Sequence, residues 1–183
     1  MDDRALVEQC QKGELEKFSV LYDRHVAALY VFIYSKTHHK ETAEDLTSQS
    51  FLKALGHINT FDASRGAFRS WIYQIARNTV IDYYRTHRSE SDVADAWDIP
   101  ADGDMARDID VKTQLTKVQQ YLQGLNQEQR DIVVLRLWHD LSYREIADIM
   151  GKSEASCKMS FSRTVRKLKK DIVLVLLTAF LSL

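Results

Sequence analysis

Residues 61–88 interleave five arginines, Arg65, Arg69, Arg77, Arg85 and Arg88, with six aromatics, Phe61, Phe68, Trp71, Tyr73, Tyr83 and Tyr84. Cations hold a phosphate backbone and aromatic faces stack unpaired bases at about 1–3 kcal/mol each, so this mixture suits single-stranded nucleic acid. Large rings are usually buried, and most of these aromatics, Trp71 included, are expected in a core instead. That leaves Ser64, Arg65, Arg69, Arg77, Asn78 and Arg85 as the residues free to touch a ligand.

A second constellation lies near the other end. Ser142 and Glu145 form a capping box for a helix of about eight residues through Ile146, Ala147, Ile149 and Met150, which Gly151 ends. Ser153 then caps another helix. Two helices joined across a glycine turn, the first this short, are the helix-turn-helix pattern. In the second helix Cys157, Phe161, Val165 and Leu168 recur at three and four residues and should face inward. Ser153, Glu154, Ser156, Lys158, Met159, Ser162, Arg163 and Arg166 are then outward, a mixture of short polar and cationic groups suited to base edges and phosphates. The same pattern also serves as a plain packing unit.

No other chemistry has its residues. The six histidines, including the pair His38-His39, have no carboxylate or cysteine at ligand spacing, and the pair falls at an expected helix break, so solvent or capping roles are expected and no metal or cofactor. There is no Gly-rich phosphate loop or nucleophile elbow, hence no catalysis is expected. Cys10 and Cys157 are far apart and suggest neither a disulfide framework nor a zinc site.

The elements that must position these groups are helical. Only six glycines and one proline punctuate 183 residues, and strand-like alternation is missing. Phe18, Leu21, Tyr22, Val26, Leu29, Tyr30 and Ile33 form a helical stripe; Thr42 and Asp45 have capping-box spacing before a helix through Leu46, Phe51, Leu52 and Leu55 that Gly56 can close; a third helix is expected from about Phe68 to Arg88. Asn126 is a good N-cap for a long helix carrying Ile132, Val133, Leu135, Leu137 and Trp138.

Net charge is only -1, but it is segregated: five basic residues against one acidic in 65–88, one against eight in 89–110, and six against one in 153–170. The acidic stretch, with Pro100 and Gly103, reads as a linker over 89–112 between helical domains at 1–88 and 113–171. A tail at 172–183 is apolar and uncharged from Ile172 on, too short for the roughly 20 residues that span a bilayer. It is expected to continue the preceding helix rather than attach to a membrane. The N-terminus lacks a basic region followed by an apolar run, so no signal peptide is expected and the chain is expected to stay in the cytoplasm.

Leu125 to Leu141 followed by Ser142-Tyr143-Arg144-Glu145-Ile146-Ala147 closely resembles region 4 of the extracytoplasmic-function sigma factors. Independently, Glu44-Asp45-Leu46-Thr47-Ser48-Gln49-Ser50-Phe51-Leu52-Lys53-Ala54 is similar to their region 2.2, and Phe68 to Asn78 continuing through Ile81-Asp82-Tyr83-Tyr84-Arg85 is similar to regions 2.3 and 2.4. The resemblance covers about residues 14–88 and 114–170. It implies an all-α transcription initiation factor of two small domains, one a helical bundle and the other a helix-turn-helix domain. The implied partners are RNA polymerase core, through the clamp of its largest subunit and the flap of its second-largest, promoter DNA, and in some members an anti-sigma factor. It implies that Asp45, Ser48, Gln49 and Lys53 face the clamp, that the loop Asp62 to Gly66 and the following helix capture a flipped base of the minus-ten element, and that the helix after Gly151 reads the minus-35 element. Asp82 is expected to pair with Arg85 or to cap.

Two positions depart from the family's habit. Ser48-Gln49 stands where relatives commonly carry Gln-Glu, and Met159-Ser160-Phe161 replaces a stretch that usually has a basic residue near Ser160. The alternative, a free-standing helix-turn-helix regulator, leaves the first half without a role and would bind its DNA tightly without polymerase, usually as a dimer.

Overall fold

The computed structural model describes residues 2–87 and 124–181, the side chains of Leu168, Lys170 and residues 171–181 excepted. The expected linker at 89–112, like residues 113–123, lies outside the described residues. Among those described there are seven α-helices and no strand: α1 (Asp3–Gln11), α2 (Phe18–Thr37), α3 (Lys40–Gly56), α4 (Phe68–Thr86), α5 (Gln127–Leu137), α6 (Tyr143–Met150) and α7 (Glu154–Leu181). They fall into two compact units, the first built on α1–α4 and the second on α5, α7 and α6 through Ala147.

The first unit packs α2, α3 and α4 against one another, with α1 laid on α2. The α1 helix starts because the Asp2 carboxylate accepts from the Ala5 amide at 2.8 Å, and it buries Leu6, Val7 and Cys10. Asp3 then fastens it to α2: Arg24 donates to one carboxylate oxygen at 2.9 Å and His25 Nε2 lies 2.6 Å from the other. Burial alone would raise the Asp3 pKa, but these hydrogen bonds and the cationic partners outweigh it and hold the group below its ordinary value.

The α2 stripe differs from expectation. Phe18, Leu21, Leu29 and Ile33 are buried as foreseen and Phe32 joins them, whereas Val26 and Tyr30 are half-buried and Tyr22 is exposed beside Phe51, ring centroids 4.7 Å apart. The cause is that α2 meets α1, α3 and α4, so its buried arc is wider and turned relative to a single-faced helix. Phe18 also meets Phe51 and Phe68 edge to face at 6.3 and 6.4 Å, joining the three long helices at one aromatic cluster. Truncating a buried ring such as Phe68 to alanine costs about 3–5 kcal/mol.

The break between α2 and α3 is made by the histidine pair. His38 takes a left-handed conformation, φ 50°, to end α2, and the His39 ring accepts from the Thr42 amide at 3.3 Å to start α3. Thr42 is therefore inside the helix and does not cap it, correcting the expected capping box. The reason is that an imidazole nitrogen three residues earlier takes the amide first.

In the second unit Asn126 and Gln129 close a reciprocal capping box, as Asn126 predicts. The helix it starts is short, because the chain turns at Trp138 and Asp140 takes φ 46°. Ile132, Leu135, Leu141, Ile146 and Cys157 are 0% exposed and form the centre of this unit. The last helix runs unbroken to Leu181, so the tail does continue it. What the tail's side chains touch lies outside the described residues.

Candidate nucleic-acid interface

The first unit presents a loop and one face of α4. Ala67, which precedes α4, offers no side-chain cap, so the loop before it is organised by Asp62. One carboxylate oxygen accepts from the Ser64 amide at 2.9 Å and from its hydroxyl at 2.7 Å, and the other lies 3.9 Å from Arg65 Nε. The Ser64 hydrogen bonds, side chain first, hold the Asp62 carboxyl below its ordinary value. From the other side, the Gln11 amide donates to the carbonyls of Ile58 and Phe61, both at 2.9 Å, tying the turn to α1. Phe61, Phe68 and Trp71 pack ring to ring at 5.2–6.1 Å. Phe61 and Phe68 are buried, but Trp71 is half-exposed and shares a recess with Thr60, Ser70 and Gln74, so it is not the core residue expected. Two rings beneath it, Phe61 and Phe68, fill the core and leave it part-exposed.

Residues 71, 74, 78, 81 and 85 recur at three and four, and they are the outward strip of α4: Gln74, Asn78, Ile81 and Arg85 exposed, Trp71 half-buried. Ser64 and Arg65 are exposed in the loop beside it. Arg85 lies 3.1 Å from Asp82, as anticipated. Arg69 and Arg77, expected beside these residues, are both half-buried. Around the helix they stand about 80° apart with Tyr73 between them; Arg77, one turn before Ile81, borders the strip, and Arg69 lies far round from it. Arg69 is hydrogen-bonded to Tyr73, whose burial pushes its pKa up to about 12 against the opposing pull of that guanidinium. Gln74 was missed; its spacing from Asn78 and Arg85 was the available signal.

On α3, Asp45, Ser48, Gln49 and Lys53 are all exposed. Glu41, Glu44 and Leu52 join them, and Leu52 is an apolar residue left 68% exposed. The buried face is instead Ala43, Leu46, Thr47, Ser50, Phe51 and Ala54. Lys53 is unlike the others: its ammonium donates to Thr79 Oγ1 on α4 at 3.0 Å.

In the second unit the turn geometry follows the sequence closely. Ser142 and Glu145 cap reciprocally, amide to carboxylate at 2.8 Å and amide to hydroxyl at 3.2 Å. Arg136 ties α5 to the start of α6, donating to the Leu141 carbonyl at 2.9 Å and lying over the Tyr143 ring at 5.3 Å. Gly151 is left-handed, φ 64°, and Ser153 Oγ accepts from the Ser156 amide at 3.2 Å to open α7. Lys152 lies 2.9 Å from Glu128 in the first turn of α5. On α7, Ser153, Glu154, Lys158, Met159, Ser162, Arg163 and Arg166 are exposed and Ser156 is half-buried. The inward stripe is shifted: Cys157 and Thr164 are buried, while Phe161, against Tyr143 at 5.8 Å, and Val165 are half-buried. Burial pushes the Cys157 thiol up, as it does Cys10. Arg163 lies 3.4 Å from Met159 Sδ, so the two share one patch.

Residues 21–90 match sigma-70 region 2 and residues 115–168 match sigma-70 region 4, in that order and over more than half the chain. The chain is 32% identical over 153 residues to the extracytoplasmic-function sigma factor SigM of Bacillus subtilis, covering 81% of this chain and 91% of SigM. The chain is a sigma-70 family factor of the extracytoplasmic-function type. It is also 36% identical to the sigma factor BldN of Streptomyces coelicolor over 168 residues, 90% of this chain and 64% of that protein's length. Two solved structures share the fold: CnrH in complex with the cytosolic domain of CnrY, TM-score 0.69 at 24% identity over 94% of this chain and 97% of that one, and RpoE of Bartonella quintana with the anti-sigma factor NepR, TM-score 0.67 at 23% identity over 85% and 96%. Helices α2–α4 are thus the sigma region 2 bundle and α5–α7 carry region 4. The α1 helix precedes the matched residues, and sequence reasoning gave it no structure.

Proposed function

We propose that this sigma factor binds RNA polymerase core, reads a minus-35 element with α7 and a minus-ten element with the 62–66 loop and α4, and assists promoter melting. The observation that carries the reading is the pairing, in one chain, of a region 2 match and a region 4 match that each present an exposed basic or polar helix face. On this reading Asp45, Ser48 and Gln49, with exposed Leu52 beside them, meet the clamp of the largest subunit, and region 4 meets the flap of the second-largest. Ser64, Arg65, Asn78 and Arg85, with Trp71 and Gln74, meet the melted strand, where cations hold the backbone and the part-exposed tryptophan ring offers a surface for a base to stack on. Arg69 and Arg77, half-buried, complete the proposed minus-ten set. Ser153, Glu154, Ser156, Lys158, Met159, Ser162, Arg163 and Arg166 meet duplex DNA, the short polar groups at base edges and the cations at phosphates. The factor works in the cytoplasm and has no reaction of its own to catalyse; among the described residues no helix is long and apolar enough to cross a membrane. An anti-sigma factor is a further proposed partner, since CnrH and RpoE, which share the fold, were solved with protein partners.

The test is capture of purified core polymerase by the full chain, followed by transcription from genomic fragments. Stable capture and factor-dependent transcripts are expected. Nanomolar, sequence-specific duplex binding by the free chain, with no capture of core, would replace this reading by that of a free-standing regulator.

A further inference from the structure

Lys53 belongs by sequence to the polymerase-facing helix, but its ammonium is held on α4. Nζ donates to Thr79 Oγ1 at 3.0 Å; Thr79 is only 2% exposed, while Lys53 itself remains exposed. An ammonium has three N–H donors, and Thr79 occupies one. Among the described residues no carboxylate lies within ion-pair distance of it, and Asp82, one turn beyond Thr79, lies 3.1 Å from Arg85. Thr79 stands about 100° around α4 from Asn78, on a buried side of the helix that Lys53 reaches from α3, so the exposed charge lies at the seam between α3 and α4, one step around from the outward strip. A cation with spare donors and no counter-charge, fixed by a buried hydroxyl, has given up part of its conformational freedom before any ligand arrives. That is an arrangement for an anion, and beside a helix proposed to face DNA the anion is a phosphate.

We propose that Lys53 is a ligand of the DNA backbone, holding a phosphate of the promoter strand that runs along α4, and is not a contact to polymerase. The assignment rests on the proposed function above. It extends the DNA-facing surface of region 2 from α4 onto α3, and places a boundary on α3 between Gln49, which faces the clamp, and Lys53, which does not.

The experiment uses holoenzyme assembled from core and the full-length factor, wild type, Lys53→Gln or Lys53→Arg, with a promoter fragment recovered by transcription from genomic DNA. Affinity for that fragment is measured between 50 and 200 mM salt, and affinity for core is measured separately. One phosphate contact contributes about 0.7–0.9 to the slope of log affinity against log salt, so the salt-induced loss should be about threefold smaller for Lys53→Gln. Lys53→Arg should keep the wild-type slope, and all three should bind core equally. Identical slopes for wild type and Lys53→Gln, or a loss of core affinity with the slope unchanged, would overturn the assignment and leave promoter binding standing. If the wild-type holoenzyme transcribes no fragment, the proposed function falls and the assignment with it.

Discussion

Gly151 tests whether the turn between α6 and α7 is governed by backbone conformation alone. Its φ is 64°, and a Cβ placed there would meet no atom within 4 Å. Substitution by alanine therefore introduces no clash, and its cost is conformational: about 1–2 kcal/mol for a side chain in the left-handed region. Alanine also restricts the unfolded chain, which returns roughly 0.4–1 kcal/mol. The net expected loss for Gly151→Ala is about 1 kcal/mol. For a domain of this size that corresponds to a fall in melting temperature of about 4–8 °C. Asparagine tolerates the left-handed region through its short polar side chain, so Gly151→Asn should recover most of the loss. Urea and thermal unfolding followed by circular dichroism give both values, and minus-35 binding by the holoenzyme should fall in the same order. A neutral Gly151→Ala, or a Gly151→Asn as damaging as alanine, would refute the conformational account.

Asn126→Ala removes the N-cap half of a complete capping box, the 2.9 Å bond that Asn126 Oδ1 accepts from the Gln129 backbone amide, and should cost about 1 kcal/mol in the urea midpoint analysis. Tyr73 is raised from 10 to about 12, so its contribution is fully present below pH 10 and is lost as pH rises through 12; Tyr73→Phe should flatten that alkaline limb of stability. The Asp3 carboxyl is lowered, so its contribution is present above its unfolded value near 3.8 and is lost as pH falls below it; Asp3→Asn should flatten the acid limb in the same titration. Asn78→Ala should slow promoter opening in permanganate footprinting while core affinity holds, because the exposed strip of α4 is distinct from that of α3. Arg163→Ala should instead weaken minus-35 binding by about 1–3 kcal/mol if it contacts a base edge, read by competition between promoter fragments.

The sequence alone determined the local geometry of the second unit. Asn126 with Gln129, Ser142 with Glu145, Ser153 and Gly151 all act between residues at most three apart, and such short-range donors and turn preferences are complete before any tertiary contact forms. The helix-turn-helix and most of the outward face of α7 were therefore legible, as were the bounds of α4 to within two residues. The tertiary structure decided which arc of each helix is buried. With α2 surrounded by α1, α3 and α4, Phe32 entered the core and Tyr22 left it. Leu52 was left outside because α3 turns Leu46, Ser50, Phe51 and Ala54 to its neighbours. The same holds at the candidate site. Arg69, Arg77 and Lys53 have the right residue type for DNA or polymerase, but whether a long cationic side chain is exposed, flanking or tethered depends on partners such as Tyr73 and Thr79, and Thr79 lies 26 residues from Lys53 in the chain. Helical periodicity gives relative angles around one axis; only packing against the other helices fixes which of those angles points to solvent.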